Sequence, residues 1–155
     1  MRVGIGYDSH RFAPGRKLVL GGVEIPHPAG LAGHSDADAV AHALTDAILG
    51  AAGLGDIGAL FPDADPRWRD ADSLELLTAA YRKVRAAGRR FTQADITVIA
   101  EAPRLGPHAA QMGAKLAAAL AAPPGSISVK GKTNEGMGWI GRGEGIAVIA
   151  VALLE

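Results

Sequence analysis

The chain has 155 residues, of which 48% are hydrophobic and 21% charged, and this predicts one domain over 1–155 with its own core. Lys plus Arg and Asp plus Glu number 16 each, and the resulting zero net charge argues against a nucleic-acid partner. The absence of cysteine excludes disulfides and thiolate metal ligands, and no apolar run approaches the ~20 residues of a membrane span, so we predict a cytoplasmic protein without a membrane partner.

The first ten residues alternate in the manner of a β-strand. Apolar side chains at positions 3, 5 and 7 point one way, and the residues at positions 4, 6, 8 and 10 share the other face. Gly4 and Gly6 leave room for something to approach that face. Asp8 and His10, about 6.6 Å apart along the strand, offer two of the three protein ligands of an open zinc site, and His42 is the best candidate for the third. The alternative is a strand end with two solvated polar residues.

Two short apolar runs around Gly21 and Gly22 predict a hairpin over 17–25. A helix is predicted over 39–52, with Ser35 and Asp36 as the natural N-cap candidates. Its apolar stripe consists of Val40, Leu44, Ala47 and Ile48.

His42 and Asp46 lie four residues apart and hence on one face of this helix. A metal-bound imidazole usually donates its second N–H to a carboxylate, so Asp46 is a candidate partner of His42. A solvated polar face is an equally good interpretation of Asp46.

Helices and strands alternate in the second half of the chain. An irregular acidic loop over 54–66 leads to a predicted helix over 72–88, whose Asp72 and Glu75 have the spacing of a capping box. A strand over 95–100, a loop over 101–106 and an alanine-rich helix over 109–122 follow. Strands over 126–130 and 146–154 flank a segment with six glycines in fifteen residues.

Three helices are too few to cover both faces of a sheet of about five strands. This order therefore predicts an α+β fold, with a mixed β-sheet and helices on one face. The last strand is apolar on both faces, which indicates an oligomer packed through the sheet.

The glycine-rich segment begins with residues suited to phosphate. Gly131, Lys132 and Thr133 combine backbone N–H donors, an ammonium group and a hydroxyl, although the segment has no Walker P-loop pattern. Glu135 beside them suits a phosphate only with a cation between, such as Mg²⁺. The alternative is a glycine-rich hairpin with a solvated glutamate.

The chain resembles the 2-C-methyl-D-erythritol 2,4-cyclodiphosphate synthases of the non-mevalonate isoprenoid pathway over essentially its whole length. Five blocks in order carry the resemblance: 6–10 (GYDSH), 33–38 (GHSDAD), 42–47 (HALTDA), 55–58 with 61–63 (GDIG and FPD), and 141–147 (GRGEGIA). Five blocks in register are far more specific than any one of them. The resemblance implies an α+β homotrimer, with sheets packed around a trimer axis and active sites between adjacent subunits.

The resemblance also implies a reaction, that of a phosphorus–oxygen lyase. The 2-phosphate of 4-diphosphocytidyl-2-C-methyl-D-erythritol 2-phosphate attacks the β-phosphorus, which releases CMP and closes a cyclic diphosphate. The implied zinc ligands are Asp8, His10 and His42, and the implied ligand of Mg²⁺ or Mn²⁺ is Glu135. The residues implied to stabilise the transition state are His34 and Thr133.

Substrate contacts are implied in three groups. The group at the diphosphate comprises Asp8, Ser9, His10, His34 and Ser35. The group around the methylerythritol hydroxyls comprises Asp56, Ile57, Gly58, Phe61, Pro62, Asp63, Ala64 and Asp65. The group at the cytidine comprises Ala100, Glu101, Ala102, Pro103, Arg104, Leu105, Gly106, Lys132, Thr133, Asn134 and Glu135, and the set is completed by Trp139 and Arg142.

Two positions depart from the family's pattern. Lys132 stands where threonine is usual, and its ammonium group offers an added phosphate contact. Tyr7, Trp139 and Arg142 resemble the ring around the trimer axis, where some members bind an isoprenoid diphosphate, but Ile149 stands where some members have a glutamate.

Two other functions agree with the residues taken alone. One is a metal-dependent nucleotide pyrophosphatase, which releases CMP and leaves an open-chain product. The other is a non-catalytic trimeric module that binds small phosphates and carries no stoichiometric zinc.

Overall fold

The computed structural model describes residues 1–62 and 64–155. The strands of this part of the chain are β1 (Arg2–Pro14), β2 (Leu18–Leu20), β3 (Val23–Ile25), β4 (Ala29–Leu31), β5 (Phe91–Ile99), β6 (Ile127–Lys132) and β7 (Gly145–Leu154). The helices are α1 (Ala39–Ala52), α2 (Ile57–Leu60), α3 (Ser73–Ala86), α4 (Gly106–Ala119) and α5 (Gly138–Gly141), with a 3₁₀ turn at Pro66–Trp68.

Five of the described strands form one mixed sheet in the order β4-β1-β7-β5-β6, and β2 and β3 form a separate hairpin. β5 and β6 run parallel, whereas the other neighbouring strands of the sheet are antiparallel. The register places Ser9 opposite Ala147, Ala147 opposite Ile99, and Ile99 opposite Lys132. The predicted α+β class with a mixed sheet is confirmed.

Helix α1 packs directly on β1 because Gly4 and Gly6 have no side chains. A Cβ atom on Gly6 would lie 1.9 Å from the backbone oxygen of Ala43, and one on Gly4 would lie 2.0 Å from that of Ala47. The room that these glycines provide is therefore filled by α1 rather than by a ligand. The close approach brings His42, the neighbour of Ala43, beside the polar end of β1.

The hydrophobic core lies between this face of the sheet and the long helices. Val148 and Ala150 of β7 are fully buried, as are Leu44 on α1 and Leu77 on α3. Removing this apolar surface from water is the main favourable contribution to the stability of the fold. The prediction of helices on one face is confirmed.

The opposite face of the sheet is apolar and exposed in the single chain. Val3 is 69% exposed, Ile5 70%, Tyr7 56% and Val151 41%. A contiguous apolar patch of this kind usually marks an interaction surface. On the last strand the inner face is buried, whereas Ile149, Val151 and Leu153 of the outer face stay partly or fully exposed in one chain, so their burial requires a partner.

The start of α1 corrects the predicted N-cap. Asp38, and neither Ser35 nor Asp36, caps the helix, because its Oδ1 atom accepts hydrogen bonds from the backbone N–H groups of Val40 (3.1 Å) and Ala41 (3.0 Å). A carboxylate in this position satisfies two of the N–H groups that a helix start leaves without partners.

The same carboxylate joins the hairpin to the helix. Gly21 and Gly22, with φ angles of +56° and +72°, form the tight turn, and their N–H groups donate to the two Asp38 oxygens at 2.8 and 2.7 Å. Asp38 is fully buried, and this burial raises its pKa to about 6 despite four hydrogen bonds from backbone N–H groups. The predicted hairpin is confirmed.

The bounds of α4 and β5 differ most from the predicted ones. α4 begins at Gly106 rather than at 109, since Pro107 sits in the first turn, where a helix needs no N–H donor from it, and it ends at Ala119 rather than at 122. β5 begins at Phe91 rather than at 95, because its first residues pair with the end of β7. Among the described residues, no helix combines the length and apolarity needed to cross a bilayer.

Candidate metal centre and active site

Asp8, His10 and His42 meet at the polar end of β1. The Oδ2 atom of Asp8 lies 2.8 Å from Nε2 of His10 and 3.1 Å from Nδ1 of His42. One possible ligand atom from each residue lies within 4.8 Å of the other two. The structure thus brings together, from β1 and α1, the three residues that the sequence analysis selected for a metal site.

The backbone orients the His10 ring. Its Nδ1 atom lies 2.6 Å from the carbonyl oxygen of Ala32 and donates its hydrogen there, so Nε2 is turned toward Asp8. A ring nitrogen this close to a carboxylate oxygen needs either a proton or a metal cation between them. Two imidazole nitrogens and one carboxylate oxygen are the donor set of a catalytic zinc site with an open position, so these residues fit such an ion.

The charges at this cluster respond to both burial and hydrogen bonding. Burial raises the pKa of the Asp8 carboxyl, but the hydrogen bonds from His10 and His42 outweigh it, and the net pKa lies below its ordinary value. Burial lowers the pKa of His10, but its hydrogen bond to Asp8 outweighs that effect and the net pKa is raised. The cluster therefore favours positive charge at the point where the three side chains converge.

A cavity of about 230 Å³ opens onto the cluster. Besides the three cluster residues, its walls include His34, Ser35, Ile57, Gly58, Phe61 and Trp68. The Phe61 ring packs edge-on against Trp68, with ring centroids 5.0 Å apart, and forms an apolar side of the cavity. Segments 34–35 and 57–61, which are separate in the sequence, are thus brought beside the candidate metal ligands.

The acidic loop is held at this cavity by two carboxylates. Asp56 caps α2 by accepting from the Ala59 N–H group at 2.8 Å, and Asp46 on α1 accepts from the Ile57 N–H group at 2.8 Å. Asp46 therefore fastens the loop and makes no hydrogen bond to His42, so the first of its two interpretations, a partner of His42, is not observed. Burial raises the pKa of Asp46.

The remainder of the loop contacts His34 through its backbone. The Nε2 atom of His34 lies 3.4 Å from the carbonyl oxygen of Asp65. The Asp65 side chain instead accepts hydrogen bonds from Arg67, which lower the pKa of this carboxyl. Of the other predicted contacts in this loop, Pro62 and Ala64 are exposed, and Asp63 lies outside the described residues.

The sequence analysis missed the hydrogen-bond partners of the second ring nitrogen of His42. The Nε2 atom of His42 lies 2.9 Å from the Ser73 hydroxyl oxygen and 3.2 Å from that of Ser35, and the Ser73 hydroxyl donates to the Asp36 carboxylate. Ser73 and His42 are 31 residues apart. The only signal at Ser73 in the sequence was its place at the start of α3, which says nothing about a histidine on another helix.

Arg16 is a second residue that the sequence analysis missed. Its guanidinium donates to the backbone oxygens of Gly33 at 3.1 Å and Ser35 at 2.7 Å. Charge-assisted hydrogen bonds of this kind fix the loop that carries His34. No pattern around Arg16 indicated this contact.

Thr133 and Glu135 belong to a second polar cluster at the end of β6. The Thr133 hydroxyl donates to Oε1 of Glu135 at 3.0 Å. Oε1 of Glu101 accepts from the backbone N–H groups of Asn134 (2.8 Å) and Gly136 (3.3 Å). The structure thus joins the two predicted cytidine segments, 100–106 and 132–135. The other residues of these two segments differ in exposure. Ala100 and Leu105 are buried, Pro103 is half-buried, and the exposed ones are Ala102, Arg104, Gly106 and Lys132.

The candidate metal cluster, formed by Asp8, His10 and His42, and this second cluster lie at the same end of the sheet but in different places. Ser9 and Lys132 are in one row of the register, three strand spacings apart, which is about 14 Å at the usual spacing. His34 and Thr133, predicted to act on one transition state, therefore belong to different clusters of the chain. Trp139 lines an open cavity of about 610 Å³ with Ser9 and His10, and Arg142 donates to Glu144 at 2.6 Å.

Comparison with known proteins agrees with this geometry. The model of the YgbB family matches residues 1–155. The 2-C-methyl-D-erythritol 2,4-cyclodiphosphate synthase of Moorella thermoacetica is 58% identical over 154 residues, which is 99% of this chain and 94% of that protein.

Solved structures show the same similarity. A 2C-methyl-D-erythritol-2,4-cyclodiphosphate synthase structure in a CDP-bound form has a TM-score of 0.90 and 45% identity, covering 99% of this chain and all of that one. The bifunctional IspDF of Campylobacter jejuni has a TM-score of 0.95 and 47% identity over 99% of this chain, which corresponds to 42% of that longer protein. The chain therefore belongs to the YgbB family.

Proposed function

We propose that this chain converts 4-diphosphocytidyl-2-C-methyl-D-erythritol 2-phosphate to 2-C-methyl-D-erythritol 2,4-cyclodiphosphate with release of CMP, as a step in isoprenoid precursor synthesis in the cytoplasm. The observation that carries the proposal is the cluster of Asp8, His10 and His42 at a cavity walled by His34 and Ser35. The synthase names of its relatives and the CDP-bound form of a homologous structure support this substrate class.

Asp8, His10 and His42 are the proposed zinc ligands, because their donor set leaves a position open for a substrate oxygen. A zinc ion bound there would polarise a phosphate oxygen and offset its negative charge. Glu135 is the proposed ligand of Mg²⁺ or Mn²⁺, which prefer carboxylate and phosphate oxygens. Its carboxylate is exposed and accepts a hydrogen bond from the Thr133 hydroxyl, and it can turn toward a bound phosphate.

The protein residues mainly position the reacting groups. The 2-phosphate is already an ionised nucleophile, so the reaction needs no strong general base, and the barrier falls through orientation and charge stabilisation. In the proposed site His34 and Ser35 donate hydrogen bonds to phosphate oxygens, and Asp56 accepts from the methylerythritol hydroxyls. The Phe61 ring gives the cavity one apolar wall, which in the proposed site would reduce the access of water and so favour ring closure over hydrolysis.

The complete site is proposed to form between subunits of a homotrimer. The half-site with Glu101 and Thr133 on one subunit would face the metal cluster of the next, because within one chain the two are about 14 Å apart across the sheet. The exposed apolar sheet face supplies an interface around the axis. The backbone of 100–106 would then bind the cytosine edge, and Lys132 would add a contact to the diphosphate.

A ³¹P NMR time course with purified protein, the cytidyl substrate and Mg²⁺ tests the proposal. We expect CMP together with two coupled diphosphate resonances of a cyclic product. CMP with an open-chain product would overturn the proposal in favour of a nucleotide pyrophosphatase. No turnover by protein with stoichiometric zinc would overturn the assigned substrate, and no turnover by protein without zinc would favour the non-catalytic binding module.

A further inference from the structure

A chain of hydrogen bonds runs from a carboxylate to the ring of His42. The Ser73 hydroxyl donates to the Asp36 carboxylate, and the Ser73 oxygen lies 2.9 Å from Nε2 of His42. The Ser73 side chain is almost fully buried, at 1% exposure. We propose that Ser73, held by Asp36, is a positioning residue that fixes the ring and tautomer of His42 for metal binding.

The number of hydrogens available at Ser73 decides which atoms of this network donate and which accept. An ionised carboxylate is only an acceptor, so the single hydroxyl hydrogen of Ser73 points to Asp36. The lone pairs of the Ser73 oxygen are left for His42, whose Nε2 atom must then be the donor. Nδ1 is the ring nitrogen that donates to Asp8 at 3.1 Å, and when a metal ion takes the place of that hydrogen, the imidazole is left neutral with its hydrogen on Nε2 and its lone pair on Nδ1. The network therefore selects the tautomer that a metal needs.

The position of Ser73 is itself fixed by the backbone. Asp36 accepts from the Ser73 N–H group at 3.1 Å through Oδ2, and the Asp36 N–H group donates to the carbonyl oxygen of Ala71 at 3.2 Å. The loop before α1 and the start of α3 are thereby fastened to one another. Because His42 lies on α1, the network connects both helices to one ligand atom.

A serine hydroxyl between carboxylate and histidine takes the place for which Asp46 was a candidate. Partners of this kind hold the ring in the orientation that a metal requires, and their loss usually weakens metal binding. Ser35, 3.2 Å from the same nitrogen, is less well placed to substitute, since its oxygen already accepts from the Ala37 N–H group. This inference rests on the proposed function in one respect, which is that the bound metal is zinc.

The test is zinc affinity, measured on the full-length protein by competition with a chelator, without substrate. We expect Ser73→Ala to bind zinc about 10- to 100-fold more weakly, and Ser73→Thr, which keeps the hydroxyl, to recover most of that loss. Asp36→Ala should weaken binding similarly, and the double variant should be little worse than Ser73→Ala, because both changes break one chain of hydrogen bonds.

Asp72→Ala is the matched control. Asp72 caps α3 next to Ser73 and accepts from the Leu74 N–H group, so its loss weakens the start of the helix but leaves the Ser73 hydroxyl in place. We expect this variant to unfold at a lower temperature and to keep wild-type zinc affinity. Wild-type affinity in Ser73→Ala, or an equal loss in Asp72→Ala, would overturn the inference. A wild-type protein that binds zinc without turning over the cytidyl substrate would overturn the proposed function and leave this test intact.

Discussion

The two polar clusters of this chain are built in different ways. The metal cluster takes its side chains from β1 and α1, which touch backbone to backbone at Gly6, and both of its imidazole rings have a second hydrogen-bond partner. The second cluster lies on turns after β5 and β6, where Thr133 and Glu135 are exposed and bonded to one another. The first is organised in advance for an ion, whereas the second is suited to adjust to a ligand.

The largest expected effect comes from removing a ligand of the metal cluster. We expect His42→Ala to lose stoichiometric zinc and to lose activity by about 10³-fold or more, while the proposed trimer persists, since the exposed sheet face is untouched. Metal analysis, turnover and size-exclusion chromatography measure the three properties. His108→Ala, a change to a half-buried histidine on α4, is the matched control and should behave as wild type. A zinc-free His42→Ala protein with normal turnover would contradict the assignment of this cluster.

The proposed division of the site between subunits leads to a mixing experiment. His42→Ala and Glu135→Gln should each be inactive, because each damages one half-site. Subunits of the two variants, dissociated and reassembled together, should regain activity in the sites that pair an intact metal half with an intact second half. In a mixture of Asp8→Ala with His42→Ala every subunit carries an impaired metal half-site, so this mixture should stay inactive. If the first mixture also stays inactive, the two clusters do not act across an interface.

Close packing under the metal cluster leads to a stability prediction. Gly6→Ala places a Cβ atom 1.9 Å from the Ala43 oxygen, so α1 must shift away from β1, and we expect a loss of roughly 2–3 kcal/mol in the free energy of unfolding. Zinc affinity should fall as well, because His42 moves with α1. Amide resonances of 133–136 should be unchanged, since that turn lies three strands away.

Gly50→Ala is the control for this change. Gly50 lies on α1 with open space around it, so alanine there should stabilise the helix by about 0.5–1 kcal/mol. Denaturant unfolding measures both variants. If Gly6→Ala and the wild type have the same free energy of unfolding, α1 can move away from β1 at little cost, which would contradict this prediction.

The smallest expected effect concerns the pH dependence of stability. The pKa of Asp38 is raised by burial from its ordinary 3.8 to about 6, so the folded state holds the proton more tightly than the unfolded chain does. The stability that this proton contributes is fully present below about pH 3.8 and is lost as the pH rises through about 6. Asp38→Asn, which does not titrate, should therefore show a smaller fall in melting temperature between pH 4 and pH 7. Parallel curves for the two proteins would contradict the raised pKa.

Local patterns were enough to predict most of the elements and to select the three residues of the candidate metal site. Strict alternation placed Asp8 and His10 on one face of a strand, and helical spacing placed His42 and Leu44 on a buried helix, because these patterns depend only on neighbours along the chain. Caps were predicted less well. Ser35, Asp36 and Asp38 are all acceptable cap residues by type, and the one that caps α1 is the one whose carboxylate also binds the hairpin turn.

The sequence by itself determined which residue types were available: an Asp-x-His strand without any cysteine, a histidine on an amphipathic helix, and a glycine-rich phosphate-type turn. Only the tertiary structure decided which of them meet. Gly6 lets α1 approach β1 closely enough for His42 to reach Asp8, and the order of the sheet sets Thr133 apart from His34. Ser73 rather than Asp46 supports His42, because contacts between helices depend on packing, which no local pattern records.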